Sequence, residues 1–423
     1  MTLPLSRIAS IEDLRRVARE RIPKPFFDYL ENGSFSEITL RANREDLDAI
    51  ELRQNVMQDV SDRRLGTVML GERVAMPVAL APVGLCGAMW PNGEVHACRA
   101  AQDFGLPFSL STNALLSIED VAGSVRLPFW FQLYLTRDRG FTKELIERAH
   151  AAGCRVLILT MDLHVEGIRY RDVHNGLGVP PMLTAANAWS ILSHPRWTLG
   201  MLRSKRWSFG NYAGRVPPSK IWEMAKLVKE QLDPSFDASC IDWVRKQWPG
   251  KLIVKGILEP EDARTAIERG ADAVLVSNHG GRQLDGARSS VAAIQDVVDA
   301  VDGRAELFVD GGIRSGLDIL KFLALGADGC FIGRAFLYGL GAFGQDGVSK
   351  ALEILRDELD VAMALTGVTD VRQIPRDLVR VPRSQPREPA VNAREPGSSR
   401  LPARKRATAA TRSASVQGKR VST

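Results

Sequence analysis

The sequence predicts an α/β protein folded as a TIM (β/α)8 barrel, and two repeating features of the chain support this prediction. Short apolar, β-branched runs recur along the chain, separated by stretches with apolar residues three and four positions apart. Such stretches, for example GFTKELIERAHAAG and PEDARTAIERGA, are typical of helices that cover a sheet. Eight alternating units of this kind indicate a closed parallel barrel. The eight predicted strands are 78–82, 107–111, 129–134, 156–162, 252–257, 273–278, 307–312 and 330–334.

The segments on either side of these units predict helices outside the barrel. The sequence IEDLRRVARERIPKPFFDYLENG predicts an N-terminal helical cap over the bottom or the mouth of the barrel. The sequence GVSKALEILRDELDVAMALTG, after the last strand, predicts a closing helix. We therefore assign residues 1–380 to one barrel domain, because α/β barrels run as one domain at such lengths.

A long excursion, about residues 175–249, interrupts the alternation between the fourth and fifth strands. Loops of this length are usually functional. Its first half interleaves tryptophans with basic residues, which suits a membrane interface. The alternative is packing against the barrel or against a neighbouring subunit. The interleaved residues are Trp189, Trp197, Trp207, Arg196, Arg203, Lys205 and Arg206.

The last 41 residues, 383–423, form a basic tail with almost no large apolar residues. They contain ten Lys or Arg and two Asp or Glu, a balance of +8, so a net charge of +6 leaves −2 for the remainder. A segment of this composition cannot offset the entropy lost on ordering, and we predict that it is disordered. The tail is either simply solvated or attracted to an anionic membrane surface or to nucleic acid.

The overall composition narrows the class of protein. Apolar residues make up 45% and charged residues 25% of the chain, as in soluble globular proteins. We find neither a membrane-spanning stretch nor a secretory signal, and we expect a cytoplasmic protein. The five cysteines form neither a CxxC nor a Cys/His cluster, so we predict no disulfide framework and no metal site. Nothing in the folded part indicates nucleic-acid binding.

The most informative motif is VSNHGGRQLDG, residues 276–286, directly after the sixth predicted strand. In α/β barrels, catalytic groups gather at the carboxyl ends of the strands. His279 is placed there to accept a proton. Arg282 is placed to bind a carboxylate through two parallel hydrogen bonds, a geometry that lysine does not reproduce.

Polar residues at the other strand ends face the same mouth. Gln132 and Tyr134 end the third strand, and Thr160 ends the fourth. Lys255 lies within an otherwise apolar strand, which is costly unless the ammonium meets an anion or an electron-rich acceptor. We therefore predict a functional role for Lys255. Asp162 is placed to orient His279 and to stabilise its imidazolium form, with a purely structural carboxylate as the alternative.

Glycines and arginines follow the seventh and eighth strands, in DGGIRSG (310–316) and in GR at Gly333 and Arg334. Glycines let backbone N–H groups approach an anion closely, and these two loops form the usual phosphate site of the barrel. Arg334, with Arg314, would supply positive charge. The pattern predicts a phosphorylated cofactor or substrate.

Taken together, these motifs resemble the FMN-dependent 2-hydroxy acid dehydrogenase and oxidase family over about residues 8–369. The matching motifs are KPFFDYLENG, LAPVGLCGAMWPNGE, FSLST, WFQLY, LTMD followed by GIRYRD, VKGIL, SNHGGRQLDG and DGGIRSGLDILK. The excursion, with HPRW, most resembles that of bacterial membrane-associated L-lactate dehydrogenases and (S)-mandelate dehydrogenases.

This resemblance implies FMN as the cofactor and a role for each matching residue. His279 would be the base and Asp162 its partner, and Tyr134 would bond the substrate hydroxyl. Lys255 would lie beside the flavin N1–C2=O edge. The substrate carboxylate would be held by Arg282, Arg169 and Tyr29. The flavin ring and ribityl chain would be held by Pro82, Val83, Gly84, Ser111, Gln132, Thr160 and Ser277, with Tyr134 and Lys255 also in contact. The ribityl hydroxyls and phosphate would be held by Asp310, Gly311, Gly312, Ile313, Arg314, Gly333 and Arg334.

Two positions depart from glycolate oxidase. Val83 replaces a threonine beside the flavin, and Asn113 replaces a tryptophan over the substrate, which leaves room for a larger 2-hydroxy acid.

The resulting expectation is oxidation of an (S)-2-hydroxy acid, L-lactate first, with electrons passed to a membrane quinone. (S)-Mandelate dehydrogenase and an oxygen-using oxidase are the alternatives within the family. A barrel isomerase or synthase with a phosphorylated substrate, and a non-catalytic membrane-bound binding protein, are the alternatives outside it. The resemblance also implies a homo-oligomer, a tetramer, bound peripherally to the inner face of the cytoplasmic membrane.

Overall fold

The computed structural model describes residues 3–176, 184–215 and 221–381. Residues 1–382 fall in one structural unit. The predicted disorder of the tail at 383–423 lies outside the described residues, as do two short parts of the excursion.

Eight parallel strands form the barrel that the sequence predicts. They pair in the order β1-β8-β7-β6-β5-β4-β3-β2, and a parallel bridge between Leu80 and Phe108 brings the first strand to the second. The fold prediction is therefore confirmed, with strand ends that differ by at most two residues from those predicted. The strands are β1 (Val78–Leu80), β2 (Ser109–Ser111), β3 (Trp130–Tyr134), β4 (Val156–Thr160), β5 (Lys251–Ile257), β6 (Ala273–Val276), β7 (Glu306–Asp310) and β8 (Gly329–Ile332).

Helices cover the barrel between these strands, and capping serines start several of them. Ser10, Ser117 and Ser315 each form a capping box with an aspartate three residues later, which satisfies the free N–H groups of the first turn. The helices before β3 are α1 (Ile11–Arg21), α2 (Lys24–Glu31), α3 (Ile38–Ala49), α4 (Cys86–Met89), α5 (Gly93–Asp103) and α6 (Ile118–Ala122). From β3 to β5 they are α7 (Arg139–Ala151), α8 (Tyr170–His174), α9 (Ala185–Leu192), α10 (Pro195–Leu202), α11 (Ile221–Gln231) and α12 (Ser239–Gln247). After β5 they are α13 (Pro260–Glu268), α14 (Ser290–Val301), α15 (Gly316–Ala324), α16 (Arg334–Phe343) and α17 (Gln345–Thr366).

Short strand pairs and 3-10 helices complete the structure. Thr67–Met69 pairs with Glu72–Val74, and Glu51–Leu52 pairs with Val379–Arg380. The 3-10 helices are Leu5–Arg7, Gly210–Tyr212 and Arg376–Leu378.

The N-terminal cap lies partly over the mouth of the barrel. Its backbone is hydrogen-bonded to the loop after β6, because the Ser34 N–H donates to the Gly281 carbonyl at 2.9 Å. The Thr39 N–H donates to Asp285 Oδ1 at 3.0 Å in the same loop. Of the two positions that the sequence allows, the structure therefore places the end of α2 and the turn after it at the mouth.

One segment of the excursion, residues 204–212, is attached to the loop after β2. The Gly210 N–H donates to the Ala114 carbonyl, and Asn211 Nδ2 donates to the Thr112 carbonyl at 3.0 Å. A Cβ at Gly210 would lie 2.4 Å from the Ser117 nitrogen, so only glycine fits there. This attachment brings the excursion to the edge of the barrel mouth.

Across the described ranges, no helix is long and apolar enough to cross a membrane.

Candidate active site

A cavity of about 920 Å³ opens at the carboxyl ends of the strands. Most of the residues singled out in the sequence line it, so the topology brings together side chains that are up to 305 positions apart. The predicted residues in its wall are Tyr29, Pro82, Val83, Gly84, Tyr134, Arg169, Lys255, His279, Arg282, Asp310, Gly311, Gly312, Ile313, Arg314, Gly333 and Arg334.

Four predicted cofactor residues form a buried polar layer instead of the cavity wall. Ser111 donates to Gln132 Oε1 at 2.9 Å, and Gln132 Nε2 donates to Thr160 Oγ1 at 3.0 Å. Ser277 is fully buried and accepts from Lys255. These buried polar side chains are therefore hydrogen-bonded to one another or to Lys255.

His279 is fixed by Asp162. The Nδ1 atom lies 3.0 Å from Asp162 Oδ1, and Nε2 lies 3.5 Å from the Tyr134 hydroxyl. Burial alone would raise the pKa of Asp162, but the charges of His279 and Lys255 outweigh it and the pKa is lowered. An ionised Asp162 favours the tautomer with the proton on Nδ1, which leaves Nε2 free to accept a proton from the cavity.

Lys255 points from β5 into the same site. Its Nζ donates to Ser277 Oγ at 2.6 Å and lies 3.3 Å from Asp310 Oδ2. Asp310 Oδ1 is buried and has no partner among the described residues. A nearly buried ammonium beside an unsatisfied carboxylate oxygen is a polar pair that a bound ligand would complete.

Arg282, Arg169 and Tyr29 stand together on another wall. The guanidinium carbons of Arg282 and Arg169 lie 4.7 Å and 5.9 Å from the centre of the Tyr29 ring. Burial and the neighbouring charge of Arg169 lower the pKa of Arg282. Arg169 pairs with Glu166 at 3.1 Å and Asp172 at 3.4 Å. Two guanidiniums beside the same tyrosine ring favour binding of an anion between them.

Arg314 and Arg334 form what we call the basic end of the cavity, with Gly311, Gly312 and Gly333. Within the described residues, neither arginine has a carboxylate at ion-pair distance. Burial, with Arg282 and Arg314 nearby, lowers the pKa of Arg334 to about 9. Gly311 and Gly312 have positive φ angles of 102° and 81°, which glycine adopts without strain. The basic end therefore brings together the residues for which the sequence predicts an anion site.

The wall on the excursion side is apolar. It is formed by the cap, the loops after β1 and β4 and the excursion, and Phe26 stacks on Trp197 with ring centres 4.9 Å apart. The Trp197 indole N–H donates to the Ala88 carbonyl, so this tryptophan packs inward. Trp189 and Trp207 remain 73% and 55% exposed. The apolar lining residues include Phe26, Leu85, Leu163, Ile191, Trp197, Met201, Trp207 and Phe209.

Two site residues carry no assigned role from the sequence. Asn32 accepts from Arg282 and donates to Asp172, and Asp172 pairs with Arg169. Both lie inside matched motifs, but no sequence pattern indicates which arginine a buried polar side chain will contact.

In the described ranges, no group of three or more side chains is arranged to hold a metal ion.

The match to a known family agrees with this site. Residues 18–381 match the family model described as FMN-dependent dehydrogenase, so the chain belongs to that family. The family uses FMN, as the motifs predicted.

Three solved structures are similar to this chain over most of its length. The first, described as the monotopic membrane protein (S)-mandelate dehydrogenase, has 38% identity and a TM-score of 0.84, covering 89% of this chain and all of that one. A soluble mutant of the membrane-associated (S)-mandelate dehydrogenase from Pseudomonas putida has 37% identity and a TM-score of 0.77, with coverage of 89% and 100%. A mandelate oxidase has 35% identity and a TM-score of 0.75, with coverage of 88% and 98%.

The residues present fit FMN. The basic end offers two guanidiniums and glycine backbone to a phosphate, and the buried polar layer offers hydrogen-bonding groups to a polar ring. At Gly333, which lines the cavity, a Cβ would lie 3.9 Å from the Val83 side chain, in ordinary van der Waals contact.

Proposed function

We propose that the protein oxidises an (S)-2-hydroxy acid to the 2-oxo acid with FMN and passes the electrons to a membrane quinone. The observation that supports this most is that His279, paired with Asp162, lines the same cavity as the two guanidiniums of Arg282 and Arg169. A base, together with two arginines that can bind a carboxylate in the same cavity, suits a substrate with adjacent C–H, hydroxyl and carboxylate groups.

The protein's own residues then have distinct tasks. Arg282 and Arg169, beside Tyr29, hold the substrate carboxylate and so fix the α-carbon. The Tyr134 hydroxyl, 3.5 Å from His279 Nε2, bonds the substrate hydroxyl. His279 Nε2 takes either the α-proton or the hydroxyl proton, and Asp162 stabilises the imidazolium that results.

Bound FMN supplies the two-electron acceptor. Lys255 would stabilise the negative charge that the cofactor carries when it is reduced. The residues of the basic end would hold the phosphate, and Ser111, Gln132, Thr160 and Ser277 would hold the ring and ribityl chain from below.

L-Lactate is the substrate that we propose first, from the family motifs. (S)-Mandelate is the second candidate, and a specific observation favours it: the wall that includes Phe26, Leu163 and Trp197 is apolar and suits a bulky side chain. The similar (S)-mandelate dehydrogenase structures point the same way. An oxygen-using oxidase is the third candidate, because a mandelate oxidase is also similar.

The excursion supports the proposal of a membrane quinone as acceptor. Trp189, Leu192, Leu199 and Leu202 are exposed on α9 and α10, while Ile191, Trp197 and Met201 of the same helices line the cavity. We call the four exposed residues the outer apolar face. An amphipathic helix pair with basic residues Arg196 and Arg203 suits an anionic bilayer surface. One side of the excursion would contact lipid, and the other would admit an apolar acceptor. We also propose a peripheral enzyme of the inner membrane face, assembled as a homotetramer.

The test is anaerobic flavin bleaching with a panel of 2-hydroxy acids. The purified yellow protein is mixed with L-lactate, D-lactate, (S)-mandelate and longer (S)-2-hydroxy acids, and the flavin absorbance is followed. We expect rapid bleaching by an S enantiomer, slow reoxidation by oxygen, and rapid reoxidation by a short-chain quinone. A flavin that no member of the panel bleaches would refute the proposal, and fast reoxidation by oxygen would identify an oxidase.

A further inference from the structure

Asn32 directly follows α2 and contacts two arginines of the cavity, Arg282 and Arg334. It is fully buried, with 0% exposure. Its side-chain oxygen accepts from Arg282 Nη1 at 2.7 Å, and its Nδ2 donates to Asp172 Oδ1 at 2.6 Å. Its backbone carbonyl accepts from Arg282 Nη1 at 2.9 Å and from Arg334 Nη2 at 2.8 Å.

The last carbonyl groups of α2 hold both arginines. The Tyr29 carbonyl accepts from Arg282, and the Leu30 carbonyl accepts from Arg334. Such carbonyls have no partner within the helix and carry the negative end of its dipole, which favours guanidinium groups. All the hydrogen bonds that Arg282 makes to described residues use Nη1, so its other N–H groups are available to the cavity.

The Asn32 side chain also separates two opposite charges. Asp172 is buried and lies near both Arg169 and Arg282, whose charges act on it. Because the Asn32 amide bonds Asp172 Oδ1 on one side and Arg282 on the other, it keeps the carboxylate from pairing directly with Arg282. A direct pair would occupy the donors that a substrate carboxylate needs.

We propose that Asn32 is a positioning residue that holds Arg282 ready for the substrate carboxylate and shields it from Asp172. This inference rests on the proposed function, because it takes Arg282 as the carboxylate clamp. Of the two arginines, the Asn32 side chain contacts Arg282 only. Arg334 is held by the Asn32 backbone, which a substitution keeps, so substrate binding and cofactor binding should respond differently.

The test compares holoenzymes of the native chain, Asn32→Ala, Asp172→Asn and the double variant. Pyruvate and benzoylformate, the 2-oxo acids of the two candidate substrates, are titrated against the flavin absorbance, and FMN affinity is measured separately. For Asn32→Ala we expect Kd for the 2-oxo acid and KM for the substrate to rise about tenfold or more, the effect of losing a hydrogen bond to a charged group. FMN affinity should change less than about threefold, since the backbone bond to Arg334 remains. Asp172→Asn in the Asn32→Ala background should restore part of the lost affinity.

Two further variants complete the design. Asn55→Ala removes an amide that bonds the Thr366 carbonyl far from the cavity, and it should leave all three constants unchanged. Asn32→Ser keeps a small hydroxyl, so its Kd for the 2-oxo acid should lie between those of the native protein and Asn32→Ala. It replaces the alanine variant if that variant does not fold.

The outcomes separate the inference from the proposed function. Native-like 2-oxo acid binding in Asn32→Ala or Asn32→Ser, an equal loss of FMN and 2-oxo acid affinity, or no rescue by Asp172→Asn would overturn the role of Asn32 alone. A native holoenzyme that binds neither 2-oxo acid and is not bleached would overturn the proposed function and this inference with it.

Discussion

His279 adopts a left-handed backbone conformation, with φ 58°. Non-glycine residues rarely adopt this conformation, which costs free energy and persists only where the surroundings impose it. Here the His279 N–H donates to Ser277 Oγ at 3.0 Å, and Asp162 holds the ring. The turn therefore aims Nε2 at the cavity with little freedom to rotate.

Replacing His279 by glutamine tests its role as the base. We expect the variant to retain FMN and to lose about two to four orders of magnitude in the rate of anaerobic flavin reduction, because proton removal has no substitute in the cavity. Stopped-flow absorbance measures both quantities. His150→Gln, on α7, is the matched control and should reduce flavin at the native rate. A His279 variant with more than about a tenth of native turnover would contradict the assignment.

The sequence predicts His279 and Arg282 as site residues because they lie in the motif directly after a strand. It predicts Lys255 because a lysine within an apolar strand is costly unless it meets an anion or an electron-rich acceptor. It does not predict Asn32. A buried asparagine shows its role only through its partners, and these come from residues 140 and 250 positions away in the chain.

The excursion has two faces, and the sequence distinguishes them only in part. Interleaved tryptophans and basic residues predict an interface, but they do not indicate that Trp197 turns inward onto Phe26. Replacing the whole of residues 185–214 would therefore also remove the cavity wall. The prediction of membrane attachment is better tested on the outer apolar face alone.

Changing the outer apolar face, Trp189, Leu192, Leu199 and Leu202, to glutamine should release the protein from membranes into the soluble fraction. Activity with a dye acceptor should persist, and quinone reduction should fall, because interfacial binding depends on buried apolar area. Sedimentation with vesicles containing anionic lipid gives the measurement. The control changes four exposed apolar residues elsewhere, Met57, Leu127, Val361 and Leu365, and should still sediment. If truncation after residue 382 releases the enzyme while the outer-face variant still sediments, the basic tail is the anchor instead.

Asp120 fastens the excursion to the N-terminal turn of α6. It accepts from Lys205, at 2.8 Å, and from Arg206. Burial alone would raise the pKa of Asp120, but these two cations outweigh it and the pKa is lowered. Since a lowered carboxyl pKa stabilises the folded form above the ordinary value of 3.8 and loses that effect only as pH falls below it, the attachment should be constant from about pH 5 to pH 8.

Asp120→Asn should loosen this attachment. Allowing for the partial exposure of both cations, we expect a loss of about 1 kcal/mol, or about fivefold faster hydrogen exchange over residues 204–212. Hydrogen-exchange mass spectrometry at two pH values between about 5 and 8 should show the same ratio of the variant's exchange rate to that of the native protein. An unchanged exchange rate would mean that Asn211 and Gly210 hold the segment without help.

Over the whole barrel, the strand pattern and the loop chemistry predict the fold and the position of the site, because both follow from local periodicity and from the rule that functional groups gather at strand ends. The cap is different. Its sequence indicates helices but does not decide whether they cover the bottom or the mouth of the barrel. That position depends on arginines contributed by the loops after β6 and β8.

Removing FMN should destabilise the protein, because the two guanidiniums of the basic end have no carboxylate partner among the described residues. A ligand at about 100 times its Kd stabilises the folded state by about 2.7 kcal/mol, and we expect the midpoint of thermal unfolding to fall on FMN removal accordingly. Inorganic phosphate should restore part of the loss in the apoprotein. The same titration with Arg334→Met should show no phosphate effect, whereas a response equal to that of the native apoprotein would move the anion site elsewhere.

The hydrogen bonds between α2 and the two arginines span 250 and 304 positions of the chain. Contacts of such high sequence separation form late in folding, because loop closure must precede them. A nascent chain therefore cannot complete the mouth of the barrel until residue 334 has left the ribosome. The end of α2 therefore lacks these hydrogen-bond partners until almost the whole barrel has been synthesised.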